Sequence, residues 1–169
     1  MPADAHQLEV LDNVQKRVLW LAVRMVHEAN YVRPNPSGEK IGGHQASSAS
    51  MVTLMTALYF HYLRAGDLVS VNLTLRPSST PFNICSANCP GIICPLLRAF
   101  GGLQAYPSRT KDPDRVDFST GSVGLGAVAP SFAALSHQYA QSHFADVPDR
   151  RFVSCSVTPN STRATSGKR

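Results

Sequence analysis

The chain has 169 residues, 43% of them hydrophobic, which is enough for one domain with a real core and short for two. No apolar run approaches the roughly 18 residues of a membrane span, and the opening "MPADAHQLEVLD" lacks the basic-then-apolar order of a secretory signal, so the expectation is a cytoplasmic protein without a membrane partner. The net charge of +5 is a tail property: five basic residues and no acidic one lie from Arg150 onward, the rest holds eleven of each sign, and no nucleic-acid partner is expected.

From about residue 5 to 30, Leu8, Leu11, Val14, Val18, Leu21, Ala22, Met25 and Val26 recur at three- and four-residue steps, which predicts an amphipathic helix. "YVRPNPSGEKIGGH" collects Pro34, Pro36, Gly38, Gly42 and Gly43 and reads as a loop. "QASSASMVTLMTALYFHYLRAG" predicts a mostly apolar helix ending at Gly66 and buried on more than one side. "DLVSV" predicts a buried strand.

After Val71 the pattern fails. Residues 72–96 keep neither the helical nor the strand period and hold Cys85, Cys89 and Cys94. A structureless stretch of this length inside one compact domain is an anomaly. In a reducing compartment its thiols are not read as disulfides. Order returns at "LRAFGGLQAYPSRTKDPDRVDFSTGSVGLG", a polar loop region rich in Gly and Pro. It leads into a helix over about 124–144, where Pro130 is tolerable only near the first turns. "RRFVSCSV" predicts a second strand, Phe152–Val157, and the final "TPNSTRATSGKR" a disordered tail.

The stretch "IGGHQASSASMVTLMTALYFHYLRAGD", followed by "LRAFGGLQAYPSRTKDPDRVDFSTGSVGLG", resembles the N-terminal domain of thiamine-diphosphate-dependent enzymes of the transketolase class, closest to the homodimeric pyruvate-dehydrogenase-like branch. The resemblance covers about residues 8–71 and 97–153, with Gly-Gly-His, "AYPSR" and "STGSVGLG" in the family's order and spacing. It implies an α/β fold with helices flanking a parallel sheet and the cofactor at the carboxyl ends of the strands. It also implies a 2-oxo acid or a ketose as substrate, Mg²⁺ on oxygen ligands and a homodimer.

The family pattern places a motif close to "KPHASPVFHAIQYLLG" after the strand that corresponds to Leu68–Val71, where this chain has "NLTLRPSSTPFNICSAN". The two look unrelated as proteins but agree as codons. Taking the last base of each codon with the first two of the next, Asn72-Leu73 can give Pro, Leu73-Thr74 His, Thr74-Leu75 Ala, Leu75-Arg76 Ser and Arg76-Pro77 Pro. Pro77 through Ala87 can then yield Val-Phe-His-Ala-Ile-Gln-Tyr-Leu-Leu-Gly, and the Phe82-Asn83 junction allows only Gln or a stop. The same shift from Ser156 to Arg169 can spell Gly-Asp-Ala-Glu-Leu-Asp-Glu-Gly-Asn-Val-Trp-Glu-Ala, the family's magnesium and diphosphate motif. The expectation is a chain read out of frame over about 72–96, back in frame near Leu97, and out again near Ser154 before an early stop. Residues 1–153 are then a partial diphosphate-binding domain and 154–169 a disordered basic tail.

The resemblance assigns His44 and Tyr106 to catalysis. Ser47, Gly121, Ser122, Val123, Gly124, Leu125 and Gly126 are assigned to cofactor binding, the glycine segment through backbone amides that open a helix. Arg109 reads as a surface ion pair, and Asp112, Asp114 and Asp117 as solvated loop charges. His6, His27, His61, His137 and His143 read as structural or surface groups. Without the magnesium motif and the second histidine motif the chain is expected to be inactive, with an exposed sheet edge and exposed apolar helix faces. Two rival readings are a zinc module on Cys85, Cys89 and Cys94 and a partial subunit that regulates an intact paralogue through the Met51–Leu63 helix.

Overall fold

A computed structural model of the chain describes residues 4–36, 38–43, 45–71, 96–121 and 124–155. The rival zinc reading on Cys85, Cys89 and Cys94 therefore lies outside the described residues, as does the polar segment from 156 onward.

Helix α1, Ala5–His27, starts at a capping box: the Asp4 carboxylate accepts the Gln7 amide at 2.7 Å, and the Gln7 side chain accepts the Asp4 amide at 3.2 Å. Its buried stripe is Val18, Ala22, Met25 and Val26, the periodic face expected. The helix does not stop near Asn30 but widens into a π turn, Glu28–Val32, closed by the Arg33 amide on the Glu28 carbonyl at 2.9 Å.

The second predicted helix is not continuous. It forms as α2, Gln45–Ser50, then α3, Val52–Ala57, and then a π turn, Leu58–Tyr62, so it ends before Gly66. The interruption at Met51 has a local cause. Ser50 Oγ donates to the Ser47 carbonyl at 2.9 Å and the Met51 amide takes the Ser48 carbonyl at 3.3 Å, a tight turn competing with the helical ladder. Gly66, at φ +96°, belongs instead to the turn into the sheet.

Strand β1, Leu68–Val71, pairs in parallel with β2, Phe152–Cys155, with Leu68 opposite Phe152 and Val71 opposite Cys155. Between them in the chain lies α4, Leu125–His143, which packs on both strands. The coarse class is α/β. One core joins Val18, Val52, Met55, Leu58, Val69, Val71 and Cys155, so the sheet is sandwiched between the α1–α3 layer and α4. A second cluster holds Leu97 and Leu103, the two ends of a tight turn, against Met25, Val26 and Ala29.

One expectation needs correction. The tail does not begin at Ser154: Ser154 and Cys155 are paired strand residues, and Cys155 is a core residue whose thiol is shifted upward by burial. A parallel register asks only for backbone groups and a small inward side chain, which Ser-Cys supplies. Of the two sheet edges, that of β1 is covered, while that of β2 has no strand beside it among the described residues. The Asp117 carboxylate accepts the Val69 amide at 3.0 Å and the Thr120 hydroxyl donates to the Val71 carbonyl at 3.1 Å, so side chains of a loop cover the edge. The apolar helix face is exposed as expected: Leu125, Val128, Phe132, Leu135 and Tyr139 line one side of α4 at three- and four-residue steps.

Both strands are anchored where they begin. Asp67 takes the Arg64 amide at 2.8 Å, the Arg151 amide at 3.1 Å and the Arg151 guanidinium at 3.0 and 2.5 Å. The Arg151 guanidinium also lies 4.4 Å over the Tyr62 ring and donates to the Tyr62 carbonyl at 2.8 Å. One carboxylate thus ties the turn before β1 to the residue before β2.

Candidate functional site

The glycine segment is positioned by an irregularity of α4. Pro130 stands inside the helix, beyond its first turn, and lacks the amide hydrogen that would bond the carbonyl four residues earlier. That carbonyl belongs to Gly126. It is taken instead by two serines of the sheet, Ser70 Oγ at 2.7 Å and Ser154 Oγ at 2.9 Å. The proline is therefore tolerated because the sheet supplies the missing donors, and the exchange pins the start of α4 to adjacent parallel strands.

The segment before α4 is fixed at the same end of the sheet. The Thr120 hydroxyl bonds Val71, the last residue of β1, and the Thr120 amide bonds the Pro107 carbonyl at 3.0 Å. Tyr106 precedes Pro107 and Gly121 follows Thr120, so these two sequence-predicted residues are brought together at the carboxyl end of β1. Tyr106 is exposed, with 44% of its surface free. Among the described residues, a Cβ placed on Gly121 or Gly124 would meet nothing within 4 Å, and neither glycine has a positive φ. The described neighbours and the backbone conformation thus give no reason for glycine there, whereas close approach of a ligand to the backbone would. Leu125 is exposed and Gly126 buried; Ser122 and Val123 lie outside the described residues.

The Tyr106 loop is built around Asp112. Its carboxylate accepts the Gln104 amide at 2.8 Å and the Ser108 amide at 2.6 Å, while the Asp112 amide returns to the Ser108 carbonyl at 3.1 Å. Asp114 is buried at 4% exposure, and Asp117 bonds β1 and lies 3.4 Å from Arg115. The solvated-charge expectation for these aspartates is therefore wrong. Asp112 and Asp117 accept backbone amides that the loop and the sheet edge leave over.

His44 lies outside the described residues, but the glycines before it are well defined. Asn30 clamps Gly42 on both sides, its carboxamide oxygen taking the Gly42 amide at 3.1 Å and its nitrogen the Gly42 carbonyl at 3.2 Å. Arg98 donates to the neighbouring Ile41 carbonyl at 2.5 Å. Gly43, at φ +108°, passes so close to α1 that a Cβ would lie 3.0 Å from a Val26 methyl. Gly43→Ala is therefore expected to cost about 2 kcal/mol. Gly38→Ala, at φ +69° with no described residue within 4 Å of its Cβ, is expected to cost about 1 kcal/mol. Urea midpoints of the two variants check this order. Ser47 sits one turn beyond, part-buried, with its carbonyl held by Ser50. The six-residue length of α2 gives little helix dipole at its N-terminus.

Among the described residues no group of three or more His, Cys, Asp or Glu side chains is arranged to hold a metal ion, and no helix is long and apolar enough to cross a membrane. The sequence reading missed Ser70, Ser154 and Asn30 as positioning residues. Only Pro130 hinted at the first two, by requiring some donor for Gly126. In comparisons with known proteins, no family model matches the chain and no curated protein matches it.

Proposed function

We propose that this chain carries the diphosphate-binding domain of a thiamine-diphosphate-dependent enzyme of the transketolase class, acting on 2-oxo acids or ketoses, with about 72–96 and the stretch from about 154 read in a shifted frame. The observation that carries the reading is the glycine segment at the carboxyl ends of two adjacent parallel strands. Gly126 is pinned by Ser70 and Ser154, and no described residue crowds Gly121 or Gly124. That end of an open α/β sheet is where such folds bind ligands. When bound, the cofactor supplies a thiazolium carbanion and an electron sink. The role of this chain's residues is to present backbone amides of 121–126 to the diphosphate, with Tyr106 beside them.

The described residues do not fit the divalent ion, which needs several hard oxygen ligands on one side of the diphosphate. The sequence as written has no Gly-Asp motif after β2, and from Ser156 it continues "SVTPNSTRATSGKR". The chain is therefore inactive in this reading, and no catalytic step is assigned to it. Calorimetric titration with thiamine diphosphate and Mg²⁺ tests the point. The chain as written should give no saturable binding at micromolar concentrations, and a chain with both stretches restored to the other frame should bind. Micromolar binding by the unrestored chain, or turnover of pyruvate or a ketose, overturns the reading.

A further inference from the structure

A second concavity lies at the opposite end of the sheet, where the strands begin. It encloses about 460 Å³ and is lined by Leu68, at the start of β1, Arg150, two residues before β2, and Arg109, Asp114, Arg115, Val116 and Asp117 of the preceding loop. Its volume falls within the range of about 300–1,000 Å³ found for small-molecule sites.

The charges there are unevenly committed. Asp117 gives one oxygen to the Val69 amide and the other to Arg115. The guanidinium groups of Arg109 and Arg150 have no hydrogen-bond or ion-pair partner among the described residues, and Arg150 Nε is buried without one. Both arginines are held in place through their backbones. The Arg109 amide donates to Ser119 Oγ at 2.9 Å, and Arg150 precedes Arg151, whose amide and side chain are fixed by Asp67.

We infer that this pocket binds a small phosphate ester. Two uncommitted guanidinium forks match the charge and the oxygen geometry of a phosphate dianion better than those of a single carboxylate. Leu68 and Val116 provide an apolar wall for the organic part of the ester. The site is separate from the glycine segment, which lies at the carboxyl end of the strands, so its test does not depend on the thiamine diphosphate reading.

The probes are inorganic phosphate, phenyl phosphate and benzoate, titrated calorimetrically into the full chain at constant ionic strength. Saturable binding is expected with phenyl phosphate tightest and benzoate weakest. Arg109→Gln and Arg150→Gln should each weaken phenyl phosphate about tenfold or more, as loss of one charge-assisted pair implies, and Arg17→Gln on α1 should leave it unchanged. If Arg150→Gln does not fold, Arg109→Gln decides, because that side chain is exposed and makes no bond within the described residues. Absence of saturable phosphate binding, equal affinity in Arg109→Gln and the unaltered chain, or tighter benzoate than phenyl phosphate would each overturn the inference.

Discussion

Removing both sheet serines at once, as Ser70→Ala with Ser154→Ala, should destabilise the chain by about 2–3 kcal/mol, while either change alone should cost about 1 kcal/mol. The reason is that a single serine still satisfies the Gly126 carbonyl, and only the double variant leaves it without a donor. Ser70→Ala should be the more costly single change, because Ser70 is fully buried and Ser154 is not. The diagnostic variant is Pro130→Ala. It restores an amide hydrogen opposite Gly126 within α4, so it should recover most of the loss in the double variant and gain less in the unaltered chain. A double-mutant cycle on urea midpoints measures this, and equal gains in both backgrounds would show that the serines and the proline are not coupled.

The second large effect belongs to Asp67. The hydrogen bonds from the Arg151 side chain, helped by the Arg64 and Arg151 amides and opposed by burial, hold its carboxyl at about 2, below the ordinary 3.8. A folded-state value below the unfolded one means that ionised Asp67 stabilises the fold above about pH 4, and that this contribution is lost as the pH falls through about 2. Asp67→Asn keeps the size of the group and removes its charge. At pH 7 it should cost about 2 kcal/mol, the scale of hydrogen bonds to a charged group. The gap between the two proteins should close as both are titrated from pH 4 toward pH 2. A gap that stays constant over that range would mean that the pairing with Arg151 contributes nothing through charge.

These two anchors explain why part of the molecule was legible in its sequence and part was not. The periodic face of α1, the strand "LVSV", the start of β2 and the helix after Gly124 follow from local pattern, and each appears where the pattern puts it. The loop glycines were readable because Gly42 and Gly43 need positive φ, at +100° and +108°. The Met51 interruption was not, since it depends on whether a serine hydroxyl or the backbone amide wins the same turn's carbonyl. The aspartates were misread for another reason. Asp117 and its Val69 partner are 48 residues apart in the chain, and charge composition cannot tell a solvated carboxylate from one that finishes a distant strand edge. The glycine segment at the carboxyl end of the sheet was named from resemblance, but the Pro130–Gly126–serine exchange that fixes it there is a tertiary arrangement with no local signature.

Cys155 sharpens the status of the four cysteines. Three fall in the anomalous 72–96 stretch, and the fourth, opposite Val71 in the core cluster that also holds Met55, falls in the stretch proposed to be shifted. A buried thiol there needs only small volume and low polarity, so its place in β2 is compatible with either frame. The decisive information lies in the third bases of the codons.

The most direct measurement is therefore the nucleotide sequence of the locus across the codons for Val71 to Leu97. The shifted frame should run open and read Lys-Pro-His-Ala-Ser-Pro-Val-Phe-His-Ala-Ile-Gln-Tyr-Leu-Leu-Gly from the Val71-Asn72 junction. A stop at the Phe82-Asn83 junction, where only Gln or a stop can be encoded, or third bases that spell an unrelated peptide, would contradict it.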